Sequence, residues 1–369
     1  MGKHKSVLIS GASFAGLTAA YWMNEMGYKV TVVEIGSFLK MGGTPVDIKD
    51  QTVDIVKRMG LFEQIKARRL ALERWEFKNA DDVTLRTVEL RPPGEEMTDD
   101  EFEIERDVLL RMQYDLVKDD VVFVFNNSIT GLQEEIDFIE VSFKDGFSNR
   151  YDLVVGCDGL HSIVRKLWFG ESAQYVNFLG QYFSIAIINK YLIPESTLQL
   201  YAEPNKGMML NAYNNKTDIV FMFRTEEELA YDYRDQEQHK QIIGSQFDGM
   251  GWRAAELREE LLNASSFYFD KFCQVKMPSW SKGRVVLAGD AGYCASPGAG
   301  MGGSLAIIGA TVLCDAIRKN DMNFELAFEE YERELRPFID QVQYDAVEML
   351  DKLLPRTQEE IDFRITNGF

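Results

Sequence analysis

The chain has 369 residues, of which 46% are hydrophobic, with 40 lysine and arginine residues against 59 acidic ones. This length and this ordinary globular composition predict two domains that share a large core. The net charge of −19 repels phosphate backbones and anionic lipid, which argues against nucleic acid and membrane surfaces as partners.

The first predicted elements are a strand, a glycine-containing turn and a helix. "SVLIS" predicts a buried strand, residues 14–26 a helix, and "KVTVVE" a second buried strand, which together form a βαβ unit. The opening "KSVLISGASFAGLTAAYW" also has the apolar character of a secretory signal peptide. Gly11, Ser13 and Gly16 interrupt that apolar run and a strand follows at once, so we reject the signal peptide.

Helices and strands then alternate up to about residue 179. Val53, Val56 and Met59 mark one face of a helix, and residues 75–101 are typical of short strands and a long loop. A helix is expected from about Arg106 to Val117. Strands are expected at "VVFVF", "DFIEVSF" and "DLVVGC".

Residues 180–276 have a different pattern of predicted elements: five strand-like segments predict a second, antiparallel sheet. They are "YFSIAIIN", "STLQLYAE", "GMMLNAY", "DIVFMFR" and "SFYFDKFCQV". Helices are expected near residues 236–246 and 252–261. "GRVVLAGDAG" then restores a buried strand, and a long C-terminal helix is expected to be kinked or broken at Pro337.

The turn after the first strand has the chemistry of a dinucleotide site. Gly11 permits a tight turn, Gly16 permits close helix–strand packing, and the helix start presents backbone N–H groups to an anion. Ser13 replaces the middle glycine of GxGxxG. Glu34 ends the second strand, where a carboxylate can accept both ribose hydroxyls. The turn therefore predicts a dinucleotide cofactor.

The same letters have a second interpretation, a nucleophile elbow with Ser13 as the nucleophile of a hydrolase. An elbow serine needs preceding strands for its oxyanion loop and a histidine late in the chain. Only twelve residues precede Ser13, and the histidines are His4, His161 and His239. We therefore disfavour the hydrolase.

Two later turns repeat the pattern of a strand followed by glycine and an acid. "DLVVGCDGLHSIVRK" places Asp158 at a strand end, and "GRVVLAGDAGYCASPGAGMGGSLA" places Asp290 after a strand. In the second stretch, four glycines (Gly298, Gly300, Gly302 and Gly303) surround the start of a helix. Each costs about 0.5–1 kcal/mol relative to alanine, so the close approach of a ligand explains them.

Together the three motifs resemble those of class A, single-component FAD-dependent monooxygenases of the aromatic-hydroxylase type, over roughly residues 4–350. "GGTPVDI", "MGLFEQI", "IVFMFR", "GW" and "KMPSWSKGRVVLAGDA" look most like the tetracycline-inactivating members. The resemblance implies an α/β fold: a Rossmann-like FAD-binding domain of the p-hydroxybenzoate hydroxylase (GR2) type, an inserted antiparallel β-sheet substrate domain and a long C-terminal helix. The expected boundaries are 1–73, 101–179 and 277–322 for the FAD-binding domain, 74–100 and 180–276 for the substrate-binding domain, and 323–369 for the bridging C-terminal helix.

The resemblance also implies a set of FAD-binding residues. Lys40 stands where the family often has arginine, Arg106 matches the arginine that opens a helix beside the cofactor, and Pro297 matches the proline between flavin ring and substrate. Tyr293 replaces the usual histidine and Ser304 a frequent asparagine, and both departures concern contacts at the ring edge. The full predicted set is Gly11, Ser13, Phe14, Ala15, Gly16, Glu34, Lys40, Arg106, Asp158, Asp290, Pro297, Gly300, Met301 and Gly302.

By the same resemblance, NADPH or NADH reduces FAD, and a flavin C4a-hydroperoxide formed with O2 inserts one oxygen atom into an aromatic or polyketide-like small molecule such as a tetracycline. No side chain is then predicted to be catalytic. The four cysteines lack CxxC spacing, so no metal site and no disulfide framework is predicted. With no segment long enough to span a bilayer, we expect a cytoplasmic protein that is a monomer or a weak dimer.

The substrate is expected between the flavin and the second sheet. Strand alternation gives three pairs of side chains that could face it: Gln199 and Tyr201, Met209 and Asn211, and Met222 and Arg224. For Met209 and Met222 a core position is the favoured interpretation, since methionine fills irregular gaps. Arg224 is expected to be exposed and is a candidate anchor for an acidic or enolate group.

Besides the hydrolase, two further alternatives stay open. A flavin-dependent reductase or a dehalogenating enzyme of the same fold would keep all three motifs. A non-catalytic flavin-binding redox sensor would bind FAD and show no substrate-stimulated oxidation of NADPH.

Overall fold

The computed structural model describes residues 5–90, 98–264 and 266–368. His4 and part of the long loop expected before residue 101 lie outside these described residues. The helices are α1 Phe14–Glu25, α2 Gln51–Arg58, α3 Phe62–Lys66, α4 Arg106–Asp115, α5 Ile163–Phe169, α6 Gln236–Gln246, α7 Ala254–Asn263, α8 Asp290–Tyr293, α9 Gly302–Lys319, α10 Phe324–Leu353 and α11 Gln358–Asn367.

The strands fall into sheets whose order departs from chain order. They are β1 Ser6–Ser10, β2 Lys29–Val33, β3 Val46–Lys49, β4 Arg74–Lys78, β5 Thr84–Glu89, β6 Glu101–Ile104, β7 Val122–Val124, β8 Ile129–Glu134, β9 Ile139–Phe143, β10 Ser148–Tyr151, β11 Leu153–Gly156, β12 Val176–Ile188, β13 Thr197–Glu203, β14 Lys206–Tyr213, β15 Lys216–Arg224, β16 Ser266–Val275, β17 Ser281–Lys282 and β18 Val285–Leu287.

A six-stranded sheet of order β17-β18-β11-β1-β2-β7 contains the predicted βαβ unit, which is confirmed. From β18 to β7 all neighbours are parallel, and Ile9 of β1 lies between Val155 and Val32. These inner strands are continuously apolar because helices cover the sheet. Since parallel strands end at one edge, the segments that follow β1, β2, β11 and β18 all leave from the same side.

A seven-stranded sheet of order β16-β12-β15-β14-β13-β4-β5 forms the second layer. The predicted antiparallel sheet is confirmed for β12 to β16, and two earlier strands extend it through a parallel β13–β4 pair. Smaller sheets pair β8, β9 and β10, and β3 with β6. The domain boundaries expected from the sequence stay a prediction.

The long C-terminal helix runs through Pro337 without a break, so the expectation of a break there is wrong. An interior proline removes a hydrogen bond and costs about 3 kcal/mol. Packing on both sides offsets this cost, since Tyr331 and Leu335 before the proline and Ile339 and Val342 after it are buried. Tertiary contacts therefore decide the course of this helix.

Within the described residues, no helix is both long and apolar enough to cross a membrane.

Candidate functional site

The turn after β1 is closely packed and accepts only glycine at two positions. Gly11 has a φ of +101°, and a Cβ there would lie 2.4 Å from the carbonyl oxygen of Cys157. A Cβ on Gly16 would lie 1.9 Å from the carbonyl oxygen of Gly11. Ser13 caps α1 by position, with no side-chain cap bond among the described residues. The first N–H groups of α1 are therefore available to an anion.

Glu34 ties this turn to the loop that follows β2. One carboxylate oxygen accepts the Ala12 N–H at 2.8 Å and the other accepts the Gly36 N–H at 2.9 Å. A carboxylate has about four acceptor positions, so both oxygens keep capacity for a further donor. The side chain is only partly buried, and it can therefore still accept from a ligand hydroxyl.

Arg106 joins the first turn to the loop that contains Lys40. Its guanidinium donates to the carbonyl oxygens of Lys40 and Gly42 at 2.9 Å and to Ser13 Oγ at 3.2 Å, and it lies 5.3 Å from the Phe14 ring centroid. Burial lowers the pKa of Arg106. The first turn, α4 and this loop are thus held as one unit.

Lys40 places a second cation at the same cleft. Its ammonium lies 4.8 Å from the ring centroid of Tyr268, on β16 of the second sheet. Burial, and then the charge of Arg106, lower the pKa of Lys40. The Lys40 loop therefore contacts both layers.

Asp158 stabilises the second motif, "CDGLHSIVR", through hydrogen bonds to residues of the same motif. Its carboxylate accepts from Ser162 Oγ at 2.5 Å and from the N–H groups of Ile163 and Val164 at 2.9 and 3.1 Å, and burial raises its pKa. These bonds cap the start of α5, so the carboxylate of Asp158 is already engaged inside the chain.

Arg165 is a site residue that the sequence-based set omits. Its side chain is fully buried, and it donates to the carbonyl oxygens of Leu160 and Ala291 at 2.5 and 2.8 Å. It thereby links the second motif to the third. Its position in the motif "CDGLHSIVR" could have identified Arg165 from the sequence, because an arginine that is buried there needs hydrogen-bond partners nearby.

The third motif lies against the first and opens towards the cleft. Gly289 has a φ of +67°, and a Cβ there would lie 3.0 Å from the Ala15 side chain. Asp290, which begins α8, is partly exposed, and burial still raises its pKa. Among the described residues, a Cβ placed on Gly300 or Gly302 would meet no heavy atom within 4 Å apart from the adjoining residues and the backbone of the helix itself.

The start of α9 is therefore uncovered. Pro297 begins a short 3-10 turn, Met301 caps α9 without a side-chain bond among the described residues, and α9 is 18 residues long. A helix of this length concentrates partial positive charge at its N-terminus. Together with the first turn, this gives two unblocked helix starts at one sheet edge, which fits an elongated dinucleotide with negative charge on its central pyrophosphate and on a ring edge at one end.

Tyr293 and Ser304, the two residues that differ from the family pattern, lie at different depths in the structure. The Tyr293 hydroxyl lies 3.1 Å from the Tyr331 hydroxyl, and its ring packs on Trp280 at 4.6 Å. Tyr293 thus fills the core beneath α9, away from the open glycines. Ser304 Oγ donates to the Asp47 carbonyl at 2.7 Å, which ties the start of α9 to β3.

The substrate candidates do not share one face of the seven-stranded sheet. Directly paired residues lie on the same face, and the register pairs Tyr201 with Met208 and Gln199 with Leu210. That face packs on Phe247, which directly follows α6, and on Leu257 of α7. Gln199 and Tyr201 therefore point to the helix-covered side, where they bond to Glu76 and Glu203.

The remaining candidates lie on the opposite face. There Met222 packs with Leu350 of α10 and with Leu354, which directly follows that helix, and Met209 borders the same cluster. Asn211 lies on this face at the far end of β14. The expectation that Arg224 is exposed is wrong: its side chain is 8% exposed and donates to the carbonyl oxygens of Leu350 and Leu354. It caps the end of α10, whose last carbonyls need donors.

The hydrolase interpretation finds no partner for Ser13 among the described histidines. Ser13 Oγ accepts from Arg106, whereas His161 lies 3.3 Å from Asp270 and His239 bonds to the Asp232 carbonyl at 2.8 Å. Nor does the described part of the chain contain a cluster of three or more metal-binding side chains.

Comparisons with known proteins agree with this geometry. A family model described as "FAD binding domain" matches residues 4–344. A flavin-dependent monooxygenase of Legionella longbeachae is 34% identical over 343 residues, covering 92% of this chain and 87% of that protein. An uncharacterized protein of Mycobacterium tuberculosis is 34% identical over 360 residues, 97% of each chain. The crystal structure of tetracycline destructase Tet(51) superposes with a TM-score of 0.88 at 32% identity, covering 99% of this chain and 95% of that chain.

Proposed function

From the premise that the chain belongs to the FAD binding domain family, we propose that it inserts one oxygen atom from O2 into an aromatic or polyketide-like substrate, with NADPH or NADH as reductant. The observation that carries this proposal is the meeting of three glycine-acid turns at one edge of the parallel sheet. Ligands of open α/β sheets bind at that edge.

The chain's own residues divide the work of holding FAD. Glu34 accepts from ribose hydroxyls, Asp290 accepts from the ribityl chain, and the open N–H groups of Gly302 and Gly303 at the start of α9 stabilise negative charge on the flavin ring. Bound FAD supplies acceptance of hydride from the nicotinamide and activation of dioxygen. The remaining predicted residues shape the site: Gly11, Ser13, Phe14, Ala15, Gly16, Lys40, Arg106, Asp158, Pro297, Met301 and Gly302.

The second sheet forms the wall that excludes water. Phe183, Val220 and Met222 pack with Leu350 on the face that carries Met209. A dry wall of this kind protects reactive intermediates from hydrolysis and strengthens the few polar contacts that orient a substrate. We therefore assign substrate orientation to this face, whereas Gln199 and Tyr201 support the sheet from behind.

A tetracycline is the substrate we propose for the first test, because the chain is 32% identical to the tetracycline destructase Tet(51) over 99% of its length. We further propose that the protein acts in the cytoplasm as a monomer or a weak dimer.

The test is the oxidation of NADPH and of NADH by the FAD-loaded protein with a panel of phenols and tetracyclines. We expect at least one compound to stimulate oxidation and to gain about 16 mass units by mass spectrometry, as one added oxygen atom requires. Stimulated oxidation that consumes O2 without an oxygenated product would identify a reductase instead.

A further inference from the structure

A polar cavity lies at the far end of the substrate-facing sheet face. Its volume is about 180 Å³, and its walls come from β6, from the loop before β4, from the segment before β13 that contains Glu195, and from the end of β14 with the β14–β15 turn. A water molecule occupies about 30 Å³ of liquid, so the cavity has room for a substituent larger than one water. Four of its lining residues are Glu103, Asn211, Tyr213 and Arg69.

Asn211 presents an unused amide to this cavity. The residue is 7% exposed and lines the cavity, and no side-chain hydrogen bond ties its amide to another described residue, so the amide faces the cavity. An amide that reaches a cavity can be hydrated there. A ligand that supplies a donor or an acceptor can bind the amide in place of that water.

The surroundings of the amide are acidic. Glu103 lines the cavity, and its partner across the β3–β6 pair is Asp47. Burial, and then the charge of Asp47, raise the pKa of Glu103 to about 7. Beside Asn211, on the neighbouring strand, fully buried Asp218 accepts from the Tyr213 hydroxyl with one oxygen, and its other oxygen has no partner among the described residues. Burial raises the pKa of Asp218 to about 7 as well.

The nearby cations are already paired. Arg69 lies 3.6 Å from Asp99 and donates to the Thr98 carbonyl, and Lys216 bonds to Glu105. The cavity therefore has an excess of acceptor groups and negative charge, which favours a ligand group that carries protons and positive charge.

This cavity belongs to the same interface as the predicted flavin site. Asn211 shares its sheet face with Met209, and β3 is tied to the start of α9 by the bond from Ser304 to Asp47. We propose that the cavity receives a protonated amino group of the substrate, with Glu103 and Asn211 as its contacts. This inference rests on the proposed function, because it assigns a substituent to the same substrate.

The test uses two probes that differ in one amino group, tetracycline and 4-de(dimethylamino)tetracycline, titrated into FAD-loaded protein by isothermal calorimetry. We expect the wild type to bind tetracycline about tenfold or more tightly, as one charge-assisted hydrogen bond allows. In Glu103→Gln the preference should fall to about threefold or less, with binding of the deamino compound unchanged. Asn211→Ala should also reduce the preference for tetracycline. This variant gives an independent measurement if Glu103→Gln does not fold.

Glu101→Gln is the matched control, because Glu101 is exposed and stands two residues from Glu103 on the same strand. It should keep the full preference. Equal binding of the two probes by the wild type, no binding of either, or an unchanged preference in both cavity variants would overturn the inference. The proposed function fails separately, if neither probe gains oxygen while the preference in binding is intact.

Discussion

At the scale of single residues, Glu34 has a structural task and a proposed binding task. Its carboxylate holds the Ala12 and Gly36 N–H groups, so it shapes the turn that faces the ligand. The same oxygens are our candidate acceptors for ribose hydroxyls. The two tasks support each other, since an acceptor fixed by backbone donors is already in place when the ligand arrives.

Replacing Glu34 with alanine should lower FAD affinity. A hydrogen bond to a charged group contributes about 1.5–3 kcal/mol, so we expect a loss of about tenfold or more, measured by fluorescence titration and by the flavin content of purified protein. Glu25→Ala, on the exposed end of α1, is the control and should bind FAD normally. If Glu34→Ala and Asp290→Ala both kept full flavin content, the assignment of the site would be wrong.

The raised pKa of Asp218 predicts how the stability of the protein depends on pH. Burial raises its pKa from 3.8 to about 7, so the folded chain holds this proton more tightly than the unfolded chain does. Its contribution to stability is therefore fully present below the unfolded value and is lost as pH rises through about 7. Asp218→Asn removes this loss and keeps an acceptor for Tyr213.

The stability of Asp218→Asn relative to wild type should accordingly rise by about 2–3 kcal/mol between about pH 5 and pH 8, measured by urea unfolding at each pH. Glu103 also titrates in this range. Because both proteins contain it, its contribution largely cancels in the difference between their stabilities. Asp137→Asn, at an exposed position, should show no such trend. A constant difference across the range would contradict the raised pKa of Asp218.

At the scale of elements, α10 is held along its course by its own Gln343 and at its C-terminal end by arginines from two other elements. Gln343, inside the helix, donates to the carbonyl oxygens of Val275 and Cys294. Arg224 of β15 caps the last carbonyls, as does Arg364 of α11, which donates to the Lys352 and Leu353 oxygens. This explains how one helix can connect two sheets in spite of Pro337.

Arg224→Ala should therefore act on stability. It removes charged hydrogen bonds from a largely buried helix end, which we expect to cost about 1.5–3 kcal/mol in urea unfolding. Arg356 shares the partner Asp351 but is 59% exposed in its side chain. Arg356→Ala should cost less than about 0.5 kcal/mol. Equal losses in the two variants would show that Arg224 does not act as a cap.

At the scale of the whole molecule, the two sheets share α10 and should unfold together. Tyr331 donates to the Leu287 carbonyl of the parallel sheet, and Leu350 packs on Phe183 of the second sheet. We expect coincident thermal transitions by circular dichroism and by tryptophan fluorescence. Separate transitions would contradict this coupling.

Ligand binding should shift that common transition. A cofactor at about 100 times its Kd stabilises the folded state by about 2.7 kcal/mol, so added FAD should raise the unfolding midpoint by about 3–5 °C. The Glu34→Ala variant should show a smaller shift at the same FAD concentration. An equal shift in both proteins would place the cofactor elsewhere.

The sequence predicted the parts of the site that depend on the local backbone. Gly11, Gly16 and Gly289 stand where the chain turns sharply or two backbones nearly touch, and such positions restrict the residue type without reference to distant partners. Acids that directly follow a parallel strand come to one edge by topology alone. For this reason, the order and spacing of residues were enough to identify the three motifs and to join them into one site.

What only the tertiary structure decided is which groups meet across large sequence separations. Alternation along a strand groups Gln199 with Tyr201 and Met222 with Arg224, but it does not say which face α6 and α7 cover and which face α10 covers. The roles of Arg224, Tyr293 and Arg165 depend on partners in other elements, and the acidic cavity exists only because β6 lies opposite the β14–β15 turn. Local chemistry thus determined the edge that we propose for the cofactor, whereas packing determined the surface that we propose for the substrate.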